Sequence, residues 1–190
     1  MVWLNGGSTL KYPNNFSDKK RIVVLDGEGY FEVTSRNGVP FTVSTSAYDI
    51  IVKGTKFNVC AYDIDATSLT SLIEGKIEID YKDELYEVSP GEGVCINKNK
   101  GTVESFRSDV DDSNAWIDGR IEYEKITLAD FGAKLSRKYG VEVCIENNEI
   151  KCHTFRISLK KNETLVQVLD GLQLIIPFEY TIDKDRIIIK

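Results

Sequence analysis

A single histidine, His153, is present in 190 residues, so any Ser-His-Asp or Cys-His nucleophilic site would have to be built on it. It directly follows Cys152 at the start of a strand-like run, and neighbours along a strand point to opposite faces. His153 therefore reads as an ordinary surface or turn residue. The acidic run Asp109, Asp111 and Asp112 invites a calcium loop. Such a loop needs glycine at its sixth position and glutamate at its twelfth, where this chain has Asn114 and Arg120. The run reads instead as a solvated linker. Glu28, Glu32, Glu74 and Glu78 could supply the carboxylate pair of a glycosidase, yet glutamates alternating on a wet strand face look the same. Gly27-Glu28-Gly29 and Gly91-Glu92-Gly93 lack the following helix whose N-terminus would bind a phosphate. Asn15-Phe16-Ser17 and Asn162-Glu163-Thr164 match glycosylation sequons that a bacterial source would leave unmodified. No catalytic, cofactor-binding or metal-ligating residue is assigned, and the chain is not read as an enzyme.

Four cysteines, Cys60, Cys95, Cys144 and Cys152, include no Cys-x-x-Cys pair, which removes zinc-ribbon and thioredoxin-like chemistry. They read as small, half-buried apolar residues. Cys144 and Cys152 flank a turn between two expected strands and could bridge in an oxidising compartment.

The elements that would position any site read as two different halves. Hydrophobic residues make up 42% of the chain and charged residues 28%, enough for a core and for a soluble surface. The net charge of −6 and pI near 5.0 disfavour a nucleic-acid partner, which requires a basic face. Lys19-Lys20-Arg21 reads as a solvated start to a strand. No apolar run approaches the ~20 residues that span a bilayer, and no signal peptide is visible. Met1-Val2-Trp3-Leu4-Asn5-Gly6-Gly7 begins abruptly as a strand, which suggests a fragment of a longer protein.

From Leu4 to about Phe106 the pattern is all-β. Lys76 to Tyr81 alternates strictly, with Ile77, Ile79 and Tyr81 on one face, the period of a strand with one wet side. Phe57, Val59 and Ala61 point inward against Cys60; Phe41, Val43 and Thr45 repeat the pattern. Arg21-Ile22-Val23-Val24-Leu25 is continuous and is expected to be covered on both faces. Turn signals recur at Gly27, Asn37-Gly38, Gly54, Gly75, Pro90-Gly91 and Asn99-Lys100-Gly101. Many short strands without helical periodicity predict a sandwich, barrel, roll or solenoid. Residues 108–118 read as a linker, with Trp116 packing at the junction.

Residues 119–190 read as β-α-β followed by β-α-β-β. Thr127 caps one helix with Asp130 at the third position; Thr164 and Gln167 form a fuller capping box for the second. Leu128, Phe131, Leu135, Val141, Val143 and Ile145 repeat at an offset of 37 as Leu165, Val168, Leu172, Phe178, Tyr180 and Ile182; Ile121 and Tyr123 repeat at 36 as Ile157 and Leu159. Pro177 is expected to stop the second helix, and Arg186 to Ile189 to close a hairpin. Two stacked βαβ-like units covering one sheet are predicted.

A set of phrases carries a family resemblance. In order they are Leu25-Asp26-Gly27-Glu28-Gly29-Tyr30-Phe31-Glu32-Val33, Pro40-Phe41-Thr42-Val43, Val52-Lys53-Gly54-Thr55-Lys56-Phe57-Asn58-Val59, Leu72-Ile73-Glu74-Gly75-Lys76-Ile77 and Ser89-Pro90-Gly91-Glu92-Gly93-Val94. Val2-Trp3-Leu4-Asn5-Gly6-Gly7-Ser8, Leu10-Lys11-Tyr12-Pro13 with Phe16, Ala61-Tyr62 and Ala115-Trp116-x-x-Gly119 extend the series. Together they resemble the periplasmic region of FecR-type anti-sigma factors of the Bacteroidetes type. The C-terminal half is similar to the small signalling domain of secretins and TonB-dependent transducers.

The resemblance implies an all-β domain, a β-roll or solenoid-like stack over residues 1–107, then a small α+β domain over 119–190. It implies that the family's first strand or two, its transmembrane helix and its cytoplasmic sigma-binding segment lie outside this sequence. The function it implies is relay: the state of an outer-membrane TonB-dependent transporter, sensed through that transporter's signalling domain, is passed to a sigma factor. No cofactor is implied, and the membrane is engaged only through the absent helix. The contact is expected on the C-terminal domain, by strand addition or by docking of an apolar helix stripe. Arg186 to Ile189, read as an exposed sheet edge, makes Arg186, Ile188 and Lys190 the candidate partner-binding residues. The same sequence also permits Ile187 and Ile189 to pack inward with Ile188 half-exposed. A carbohydrate-binding β-module, using Tyr30, Tyr48, Tyr62, Tyr81 or Tyr86, and an oligomerising assembly domain are the alternative readings.

Overall fold

A computed structural model describes residues 1–108 and 114–190. The chain divides into two compact units, Met1–Asn114 and Ala115–Lys190. It is mostly β with a few helices.

The first unit contains β1 (Val2–Leu4), β2 (Thr9–Lys11), β3 (Arg21–Val33), β4 (Phe41–Ser44), β5 (Asp49–Val52) and β6 (Thr55–Ala61). It continues with β7 (Thr67–Glu74), β8 (Ile77–Tyr81), β9 (Glu84–Val88), β10 (Glu92–Asn97) and β11 (Thr102–Arg107). They form one large curled sheet in the order β11-β10-β7-β6-β3-β4-β5-β8-β9, with β1 and β2 also paired to β3. Strand β3 makes the curl possible. Its first half pairs in parallel with β4 (Arg21↔Phe41), and its second half pairs antiparallel with β6 (Gly27↔Ala61 to Val33↔Thr55). Inside lie Phe31, Phe57, Val43, Ile50, Ile77, Ile79, Leu72 and Ile96, all buried. The Phe31 and Phe57 rings stack with centroids 5.1 Å apart.

The alternation of Ile77, Ile79 and Tyr81 holds: all three are buried, and Glu78 and Asp80 face outward. The reading of Arg21 to Leu25 does not. Ile22 and Val24 are 42% and 46% exposed, so this stretch is covered on one face only, and the doubly covered part of β3 is Gly27 to Phe31. Arg21 is also no solvated residue. Its guanidinium is buried and donates to the carbonyls of Thr34 (3.0 Å) and Val39 (2.7 Å), clamping the Asn37-Gly38 turn.

The second unit opens with a 3-10 turn, Ala115–Asp118, that holds Trp116. There follow β12 (Ile121–Thr127), α1 (Leu128–Tyr139), β13 (Glu142–Ile145), α2 (Asn148–Lys151), β14 (Thr154–Leu159), α3 (Leu165–Gln173), β15 (Tyr180–Asp183) and β16 (Arg186–Ile189). The caps fall where the sequence places them. Thr127 Oγ1 accepts from Asp130 N–H at 3.1 Å, Thr164 and Gln167 form the reciprocal box, and Gly140 ends α1 in the left-handed conformation.

Three expectations are corrected. The strands form two sheets rather than one: β12 pairs with β14, and β13-β16-β15 make a separate three-stranded sheet. A one-turn helix, α2, was not anticipated; Asn147 caps it and Ile150 is buried. Helix α3 ends at Gln173, before Pro177 is reached; beyond it a turn carries the buried Ile176, whose N–H still bonds the carbonyl of Leu172 at 2.8 Å. The internal repeat is visible in the β12–β14 ladder. Ile121 pairs with Leu159 and Tyr123 with Ile157, so the two repeat-equivalent strands run antiparallel and pair crosswise.

Candidate functional site

The carboxylates singled out by the sequence do not converge. Glu28 is buried and its two oxygens accept from Asn5 Nδ2 (2.7 Å) and Asn58 Nδ2 (3.1 Å). Glu74 pairs with Lys56 at 2.7 Å, Lys56 standing opposite Glu32 in the ladder. Glu78 lies in the other half of the sheet, opposite Glu87. Glu28 instead belongs to a structural knot. Ser8 Oγ accepts from Glu28 N–H (2.9 Å) and donates to Glu28 O (3.1 Å), and Tyr62 Oη donates to Gly6 O (2.8 Å). The phrases Asn5-Gly6-Gly7-Ser8, Gly27-Glu28-Gly29, Phe57-Asn58-Val59 and Ala61-Tyr62, scattered in sequence, meet at this point.

His153 and Cys152 are exposed, and His153 contributes its backbone carbonyl to Leu128 N–H at 3.0 Å. The four cysteines are free thiols, so no Cys144–Cys152 bridge is formed. Burial, aided by Glu104, pushes the Cys95 thiol above its ordinary range. Among the described residues no three His, Cys, Asp or Glu side chains are grouped to hold a metal. Asp109, Asp111 and Asp112 lie outside the described residues. Tyr30, Tyr48, Tyr62 and Tyr81 are buried and Tyr86 half-buried, so they form no exposed aromatic platform for a glycan.

In the second unit the apolar core gathers Leu128, Phe131, Leu135, Phe155, Val168, Leu169, Leu172, Ile187 and Ile189. Strand β16 is the centre of its sheet, not an edge. It pairs in parallel with β13 (Val143↔Ile187) and antiparallel with β15 (Thr181↔Ile188). Ile187 and Ile189 are buried because they face the helices; Arg186, Ile188 and Lys190 alternate onto the opposite face. Arg186 Nε lies 3.5 Å from Glu142.

The two edges of that sheet differ. On β13, Val143 N–H is capped by Ser136 Oγ of α1 at 3.2 Å. On β15, Glu179 and Lys190 exchange both backbone hydrogen bonds (3.2 and 2.8 Å). By antiparallel alternation, the backbone groups of Tyr180 and Ile182 then point away from β16. Ile182 is 45% exposed. Sequence reasoning missed this edge because the pairing of β16 with the distant parallel strand β13, which makes β15 the edge, is not written in either strand.

Comparison with known families matches residues 1–78 to the FecR protein family and residues 120–189 to the FecR C-terminal domain. The two matches together span more than three quarters of the chain. The chain belongs to the FecR family. A comparison with curated proteins finds no match. Two crystal structures of a candidate anti-sigma factor from Parabacteroides distasonis ATCC 8503 are similar throughout. One, at 1.65 Å resolution, superposes with a TM-score of 0.92 at 28% identity, covering 100% of this chain and 89% of that one. The other, at 2.50 Å, gives 0.91 at 28% identity, covering 99% and 88%. The FecR match contains all the residues of the knot around Glu28, and the FecR C-terminal match contains both sheets of the second unit. FecR proteins are anti-sigma regulators, which makes a sigma factor the implied partner class. No helix among the described residues is long and apolar enough to cross a membrane.

Proposed function

We propose that this chain is the sensing region of a FecR-type transmembrane anti-sigma factor. It stands in the periplasm and relays the state of an outer-membrane TonB-dependent transporter to a sigma factor, so controlling transcription of transport genes. A membrane helix and a cytoplasmic sigma-binding segment outside this sequence complete the relay. Membership of the FecR family and likeness to the Parabacteroides protein support the reading.

The observation that carries it is the open β15 edge. Outward-facing backbone groups at Tyr180 and Ile182, beside an exposed apolar side chain, suit addition of a strand from the transporter's signalling domain. Arg186, Ile188 and Lys190 lie on the sheet face away from the helices, where a docked strand's neighbouring residues would reach them.

The test is binding of the signalling domain to two variants. Ile182→Pro removes an outward N–H without breaking the β15–β16 ladder, since edge positions of this kind tolerate proline. It should reduce affinity by up to about tenfold, one lost hydrogen bond being worth about 0.5–1.5 kcal/mol. Ile188→Lys alters the sheet face and should weaken binding less. Unchanged binding in both folded variants would exclude this surface.

A further inference from the structure

One end of the first unit holds an open, shallow depression of about 560 Å³ lined by Ser46, Ala47, Asp63, Tyr81, Lys82 and Lys98. Four separate turns build it: those following β4, β6, β8 and β10. Loops clustered at the end of a rigid sheet are a common place for recognition.

Two lysines, Lys82 and Lys98, line it in a chain whose net charge is −6. Lys98 Nζ donates to the carbonyls of Tyr62 (2.8 Å) and Asp63 (3.0 Å), which leaves its third proton uncommitted. Lys82 Nζ stands 5.0 Å from the centroid of the Tyr81 ring. A Cβ on Gly101 would come within 2.7 Å of that ammonium, so the bare backbone at Gly101, in the turn that also carries Lys98, leaves room for it. Neither lysine forms an ion pair among the described residues.

The turn presenting Lys82 is itself strained. Lys82 and Asp83 have φ of +53° and +64°, a two-residue hairpin conformation that Asn-Gly would occupy at lower cost. The remaining lining is mixed. Asp63, whose backbone N–H is fixed by Asp26 Oδ1 at 3.0 Å, and Ser46 can take hydroxyl groups; Ala47 and Tyr81 offer apolar wall.

We propose that this open depression binds a small polyhydroxylated anion, with the anionic group held by Lys82 and Lys98 and its hydroxyls on Asp63 and Ser46. The Asp63 carboxylate disfavours a bare inorganic polyanion and favours a ligand with hydroxyls beside its charge. A sugar acid and a sugar phosphate share that chemistry. The inference is independent of the relay reading.

The test is an amide-resolved NMR titration of the full chain with D-glucuronate, D-glucose 6-phosphate and, as neutral control, D-glucose. Saturable shifts at residues 46–47, 81–83 and 98–101 are expected with one or both anions and not with glucose. Which anion binds identifies the source of the charge. Lys82→Glu should weaken binding by about tenfold or more, as reversal of a charge in a ligand site does. Lys82→Gly, which relieves the positive φ and so preserves the fold, should weaken it too. Lack of saturable shifts with either anion, equal shifts with glucose, or unchanged affinity in both Lys82 variants would overturn the proposal.

Discussion

Asn5 Nδ2 donates to the buried carboxylate of Glu28 at 2.7 Å, across 23 residues of sequence. The bond ties the loop between β1 and β2 to the middle of β3, and Asn58 Nδ2 holds the other oxygen from β6 at 3.1 Å. Two strands and a loop are thereby referenced to one side chain. The side chain accepts from two amide donors.

Glu28→Gln should therefore destabilise the first unit although it is nearly isosteric. Its amide turns one acceptor into a donor facing an amide donor, and an unsatisfied buried polar group costs about 1–3 kcal/mol. Urea unfolding should show a lower midpoint, and limited proteolysis should cut first near Asn5 to Ser8. A midpoint unchanged from wild type would show that the two asparagine bonds hold nothing in place.

Gly27 should be far less replaceable than Gly38. Both have positive φ, +125° and +74°, but a Cβ at Gly27 would sit 2.4 Å from Ser8 Oγ, whereas Gly38 has nothing within 4 Å. Alanine at Gly38 should cost about 1 kcal/mol, the penalty of the left-handed backbone alone. Alanine at Gly27 should cost more, because the Ser8 loop must also move. Equal midpoints for the two variants would contradict the close approach.

Tyr48 gives a pH signature. It is buried and hydrogen-bonds Thr70 Oγ1 at 3.0 Å, and burial raises its phenol well above the ordinary value of 10.0. The unfolded chain releases that proton near pH 10, while the folded chain keeps it. Stability from this group is present below that pH and falls as pH rises toward the folded value. Tyr48→Phe should cost about 1 kcal/mol near pH 8 through the lost hydrogen bond. The gap between variant and wild type should narrow above pH 10, as followed by urea midpoints. A constant gap up to pH 11 would contradict a protonated, desolvated phenol.

The alternations and caps were legible in the sequence because they are local. Ile77, Ile79 and Tyr81 follow a period of two within five residues, and Thr164 and Gln167 lie one turn apart, so neighbouring residues alone determine both. The failures concern relations between distant segments. Placing β16 inside its sheet requires the parallel pairing of Val143 with Ile187, which leaves no trace in the pattern Arg-Ile-Ile-Ile. The split into two sheets has the same origin, since the repeat gives matching elements without saying which of them pair. Helix α2, at four residues, is too short for helical periodicity to register. The knot at Glu28 was missed as a contact for a related reason. Its glycine and asparagine phrases were visible, but hydrogen bonds spanning 20 to 56 residues can be found only once the sheet order is known.

The central claim, that this chain receives the signal of a TonB-dependent transporter, is tested most directly by calorimetry. The purified chain is titrated with the N-terminal signalling domain of the transporter encoded beside its gene. Saturable binding at micromolar affinity or tighter, about −8 kcal/mol or more favourable, is the predicted result. Absence of binding, with both proteins folded and the signalling domain competent toward a longer FecR chain carrying the preceding strands, would contradict it.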